Sequence, residues 1–101
     1  MTNYLISYDI SDDRLRTRAA KLLERRGCKR LQKSVFFAPR YSARELRDLR
    51  AELRQLLKQG KVETDSVLCV PVSQKLLEQL LWEGDQKFFD NLMKKHLSKL
   101  L

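Results

Sequence analysis

A chain of 101 residues, 43% apolar and 34% charged, can bury one core between two layers, which fits a single folded domain and excludes a multidomain assembly. Twenty-one Lys and Arg against 13 Asp and Glu leave a formal charge of +8, which points to a polyanionic partner, most often nucleic acid. Cys28 and Cys69 have neither metal-ligand spacing nor a secreted context, so they read as reduced core thiols, and with the lone His96 they cannot build a zinc site. Asp9 cuts the first apolar run too short for a secretory leader, and no run approaches bilayer length, so a cytoplasmic location is expected.

Tyr4 to Ile10 is β-branched and aromatic, with one charge, and reads as a buried strand. Ser11-Asp12-Asp13 offers a helix cap, after which Leu15, Ala19, Leu22 and Leu23 fall at helical spacing and Gly27 stops the helix. Arg16, Arg18, Lys21 and Arg25 lie off that stripe, giving the helix a basic outer side. CKRLQKSVFFAPR reads as one or two short strands with a turn near Gln32 to Ser34, ended by Pro39. Ser42 caps a second helix with an apolar stripe of Leu46, Leu49, Leu53, Leu56 and Leu57, ended by Gly60. Thr64 to Val72 is a further strand, placed at an edge by Pro71.

The order β-α-β(β)-α-β, with short connections, predicts an α+β sandwich of the ferredoxin-like kind: two helices on one face of an antiparallel sheet. Residues 1–73 form that core and 74–101 a C-terminal extension packing on it or on a partner subunit. In the extension, EQLLWEG fits either a helix or a short strand. Asp85 then caps a last helix along Phe88, Phe89, Leu92, Met93, Leu97, Leu100 and Leu101. That apolar surface needs a cover, from the domain or from a partner chain.

No nucleophile triad and no Gly-rich phosphate loop is present, so acid–base or metal chemistry falls to carboxylates. Asp9 stands out, because aspartate is depleted in strands and a carboxylate beside buried surface is unfavourable without a partner. A hard cation such as Mg²⁺ takes carboxylate oxygen, and it could activate a water at a phosphodiester. The plainer alternative is that Asp9 accepts backbone hydrogen bonds near a helix start.

Three motifs in order, Tyr8-Asp9-Ile10, the Arg-rich helix Arg14 to Arg18, and Gln32-Lys33-Ser34-Val35-Phe36, resemble the CRISPR-associated Cas-two family over about Tyr4 to Ser73. The resemblance implies a ferredoxin-like homodimer in which the two Asp9 carboxylates face each other and share a divalent metal, Mg²⁺. It implies a metal-dependent endonuclease on RNA or DNA in CRISPR spacer acquisition, acting beside the integrase subunit. Asp9, Tyr8 and Ser34 are the implied catalytic residues, with Asp9 as the metal ligand. Arg16, Arg18, Arg30 and Phe36 are the implied nucleic-acid contacts. The same resemblance allows a non-catalytic homodimeric DNA-binding platform, and a third reading is an RNA-cleaving toxin of a related ferredoxin-like type. The family's short fifth strand, which crosses to the other subunit, corresponds in place to EQLLWEG.

Overall fold

In the computed structural model, which describes residues 1–98, β1 (Thr2–Asp9) and β3 (Val35–Tyr41) form the centre of a four-stranded antiparallel sheet with β2 (Lys29–Gln32) and β4 (Ser66–Val72) at its edges. Helices α1 (Asp13–Arg25) and α2 (Ala43–Leu57) cover one face. This is the expected ferredoxin-like arrangement, and Pro71 lies on an edge strand, where a missing donor is tolerated. Alternation along the strands separates two cores. Ile6, Tyr8, Phe36 and Ala38 point to the helices, meeting Leu15, Leu23, Leu49 and Leu53. Phe37, Leu31 and Val72 point the other way.

Both helix starts are capped as the sequence requires. Asp12 Oδ1 accepts from Leu15 N at 2.9 Å, and Ser42 and Glu45 form a reciprocal capping box at 3.0 Å in each direction. The α1 stop is Gly27, whose φ of +85° is the left-handed backbone that favours glycine after a helix. Tyr41 donates its hydroxyl to the Arg26 carbonyl, so the end of β3 also satisfies the end of α1.

Two expectations are corrected. Pro39 does not end β3; the strand continues to Tyr41 through a bulge in which Pro39 and Arg40 together oppose Asn3. Arg40 takes a left-handed φ of 53°, and Asn3 Oδ1 holds it by accepting from Arg40 N at 2.9 Å. The last helix is also shorter than its apolar spacing implied. It runs Gln86–Met93 (α4), and Leu97 is buried beyond its end. Leu100 and Leu101 lie outside the described residues.

Of the two readings of EQLLWEG, neither holds throughout. A short helix α3 (Gln74–Leu77) precedes it, and residues 80–83 carry no regular structure, so no fifth strand forms among the described residues. Trp82 stacks on Phe89 with ring centroids 5.0 Å apart. Leu77, Phe89, Met93 and Leu97 bury themselves on the second face of the sheet, so the chain's own domain covers them. Coverage is incomplete: Leu68 is 62% and Val70 42% exposed on β4. Among the described residues no helix is long and apolar enough to cross a membrane.

Candidate functional site

Asp9 is the last residue of β1 and is exposed, so its carboxylate stays hydrated and the desolvation penalty expected from sequence does not arise. Three other carboxylates cluster at this end of the sheet, and each is committed to structure. Asp12 caps α1, Asp13 pairs with Arg16, and Asp65 Oδ1 accepts from Ser11 N at 3.1 Å and Ser11 Oγ at 3.0 Å. The Asp9 carboxylate makes no hydrogen bond or ion pair among the described residues. The capping role considered for Asp9 therefore belongs to Asp12. No group of three or more His, Cys, Asp or Glu side chains able to hold a metal exists among the described residues, so one chain offers a cation a single open carboxylate here.

Tyr8 and Asp9 are consecutive strand residues and so point to opposite faces. Tyr8 is 5% exposed in the helix-side core, and its hydroxyl donates to the Lys33 carbonyl at 3.0 Å. Arg30 donates to the same carbonyl from Nε at 3.2 Å and Nη2 at 2.6 Å, and its Nη2 lies 3.4 Å from the Tyr8 hydroxyl. The guanidinium carbon sits 5.4 Å from the Phe36 ring centre, within cation–π range. Thus the Lys33 carbonyl, Tyr8 and Phe36 hold one arginine in a fixed orientation at the turn.

Phe36 is fully buried and presents no face to a base; its ring lies beneath the Arg30 guanidinium. Ser34 lies in the same turn, its carbonyl accepting from Tyr8 N at 3.0 Å, while its hydroxyl has no hydrogen-bond partner among the described residues. Arg16 spans the loop after β1, donating to the carbonyls of Ile10 at 3.1 Å and Ser11 at 3.2 Å. Arg16, Arg30, Tyr8 and Ser34 line one groove between α1 and the β2–β3 turn. Arg18 does not; it donates to Gln59 Oε1 at 2.6 Å and lies with Arg25 in a separate groove between α1 and α2. The three arginines grouped by sequence therefore divide between two surfaces.

Sequence reasoning missed Asp65 and the Lys33 carbonyl. Nothing in a motif marks a backbone oxygen as a hub, and Asp65 acts from 54 residues beyond Ser11. It also placed Phe88 on the apolar run to be covered, although the buried members are Phe89, Met93 and Leu97, four residues apart, and Phe88 is 44% exposed. Burial pushes the Cys28 and Cys69 thiols above their usual range, which leaves them protonated and poor nucleophiles at neutral pH. His96 packs edge-on to Phe37 at 5.0 Å, and burial, then Lys29 and Lys95, lowers its affinity for a proton.

The family model for CRISPR associated protein Cas2 matches residues 1–79. A CRISPR-associated endoribonuclease Cas2 2 of Synechocystis sp. is 38% identical over 90 residues, spanning 89% of this chain and 92% of that protein. A CRISPR-associated endoribonuclease Cas2 3 of Chloroflexus aurantiacus is 43% identical over 80 residues, spanning 79% and 81%. Among solved structures, a chain of a partial Cas6-RT-Cas1--Cas2 complex superposes with a TM-score of 0.72 at 26% identity, covering 81% of this chain and 84% of that one. The hypothetical protein TT1823 from Thermus thermophilus does so with a TM-score of 0.60 at 37% identity, covering 71% and 82%. With the motifs, the sheet order and these likenesses in agreement, the chain belongs to the Cas2 family of CRISPR-associated proteins.

Proposed function

We propose that this protein is a cytoplasmic CRISPR-associated endonuclease that hydrolyses phosphodiester bonds of RNA as a two-fold homodimer, acting in spacer acquisition beside the CRISPR integrase subunit. The observation that carries the reading is Asp9: of the carboxylates of Asp9, Asp12, Asp13 and Asp65 at this end of the sheet, only that of Asp9 makes no hydrogen bond or ion pair with another described residue. The names of the two endoribonuclease relatives favour RNA over DNA as the substrate. Strand register supports the dimer. Asp9 opposes Ser66, Ser7 opposes Leu68 and Leu5 opposes Val70, so Asp9 shares a face with the two exposed apolar residues of β4. Burying that strip against a second copy would bring two Asp9 carboxylates to one interface, with the isologous geometry of a two-fold.

Two carboxylates suit Mg²⁺, which keeps several waters when protein ligands are few. Bound there, the cation supplies an activated water and offsets charge at the phosphodiester. Arg16 and Arg30 bind backbone phosphates, as planar, permanently charged donors. The Ser34 hydroxyl is the neutral donor beside them.

Leu68→Lys puts a charge in the strip and should convert a species of twice 12.0 kDa into one of 12.0 kDa in sedimentation, with cleavage lost in parallel. A Leu68→Lys protein that stays dimeric removes this face from the interface. Affinity for RNA should fall steeply with salt and vary little with base sequence. Replacing Arg16 and Arg30 by Ala should lower the salt slope by roughly one unit per lost contact, and an unchanged slope assigns the phosphates to the Arg18 surface.

A second reading has an observation in its favour. The sparse donor set of one open carboxylate per chain, together with two basic grooves, suits a non-catalytic homodimeric platform that holds duplex DNA. Tight duplex binding by a protein that cleaves nothing, with or without Mg²⁺, would select it.

A further inference from the structure

The groove holding Arg16 and Arg30 has an aromatic end that the reading above does not use. Phe88, from α4, lines it and is 44% exposed. A single exposed phenylalanine is ordinary on a protein surface. Its setting is less so. The ring is backed by Trp82, 6.1 Å away, and α4 is started by Asp85, which accepts from Phe88 N at 3.1 Å. The Asp85 carbonyl also accepts from Trp82 Nε1 at 3.2 Å, so the indole and the ring are fixed to the same turn. In front of the ring, the groove carries Arg16, Lys21, Arg30 and Lys33 against Asp13 and Glu24, and Asp13 is already paired with Arg16. Its volume of about 1130 Å³ exceeds the roughly 300–1,000 Å³ of small-ligand sites and suits a segment of polymer.

We infer that this groove is a single-stranded nucleic-acid site in which phosphates lie along Arg16, Lys21 and Arg30 and an unpaired base stacks on Phe88. The chemistry is the one sequence-tolerant strand binders use: a cationic track with an aromatic platform. A duplex keeps its bases stacked on one another and cannot offer one to the ring, so the site discriminates strand state and not base identity. Residue 88 lies beyond the stretch 1–79 that the family model matches, so the platform is a feature of this chain's extension. The inference rests on the proposed nucleic-acid binding and adds the strand state and the residue that reads it.

The test is fluorescence titration of the full chain with oligo(U), oligo(dT) and a blunt DNA duplex, each of about ten nucleotides per strand. Trp82, the protein's one tryptophan, stands behind the platform and reports on it. Single strands should quench Trp82 and the duplex should not. Phe88→Leu keeps an apolar side chain and removes the π face; stacking contributes enough that single-strand affinity should fall by roughly 5- to 100-fold, with duplex affinity and the salt slope unchanged. Phe88→Tyr should restore binding. Binding of oligo(U) alone adds a 2′-hydroxyl contact to the same site, and binding of both oligomers assigns it to the shared phosphate and base chemistry. Equal single-strand affinity in Phe88→Leu overturns the inference, as does a loss shared by the duplex. A wild type that binds duplex but no single strand overturns it while leaving the nucleic-acid reading standing, and a wild type that binds none of the three overturns both.

Discussion

Asp9→Asn should abolish Mg²⁺-dependent cleavage of RNA while leaving the fold, the dimer and nucleic-acid binding intact. The substitution keeps the shape of the side chain and removes the charge proposed to hold a cation. A metal contributes several kcal/mol to the transition state of such a reaction, so the rate should fall by about 1,000-fold or more. Little structural cost is expected, because Asp9 is exposed and caps no helix; Asp12 does that. Two carboxylates brought together at an interface also repel without a cation, so the metal-free dimer of Asp9→Asn should be at least as stable as the wild type. The comparison needs paired assays in Mg²⁺ and in EDTA. Cleavage by Asp9→Asn at the wild-type rate, in protein free of contaminating nuclease, removes Asp9 from the mechanism.

Phe36→Ala should give the largest loss of stability. The ring is fully buried under both helices, and removing it leaves a cavity beside Tyr8, 6.1 Å from it between ring centres. Losses of about 3–5 kcal/mol are typical for such a truncation, and single domains have only about 5–15 kcal/mol in total. Urea unfolding should show the midpoint moving strongly downward with the slope retained. Arg30 loses the surface beneath its guanidinium at the same time, so in the folded fraction nucleic-acid affinity should weaken as well. A midpoint within experimental error of the wild type would contradict the packing described here.

Much of the fold is legible in the sequence because local and tertiary signals agree. Ser42 and Glu45 stand at capping-box spacing, Gly27 follows the last apolar position of α1, and the stripes of both helices repeat at helical spacing. The misreadings come where a distant residue decides. Pro39 reads as a strand end, and only Asn3, on another strand, makes the bulge that lets β3 run on to Tyr41. The C-terminal apolar run fixes that something must be covered and leaves open by what; the answer is the second face of the sheet, which period-two alternation in β1 and β3 had already made apolar.

The site is less legible than the fold. The family resemblance implies Asp9, Tyr8 and Ser34 as a group, yet the pleat turns Tyr8 and Asp9 to opposite faces. Arg16 and Arg18 are two apart on a helix, a spacing that does not put side chains on one side, and they line different grooves. Exposure of Asp9 could not be read from a strand of such apolar neighbours. It follows from the strand stopping at that residue, where the chain leaves the sheet toward Asp12 and α1.

The central claim, one cation held between two copies of Asp9, is tested most directly by counting bound metal. Equilibrium dialysis against Mn²⁺ as a spin-active substitute for Mg²⁺, followed by electron paramagnetic resonance of free ion, gives the number of cations per chain. The account predicts about one per two chains in the wild type, and none at the same free concentration in Asp9→Asn or in the monomeric Leu68→Lys. One cation per chain, retained in the monomeric variant, would contradict it.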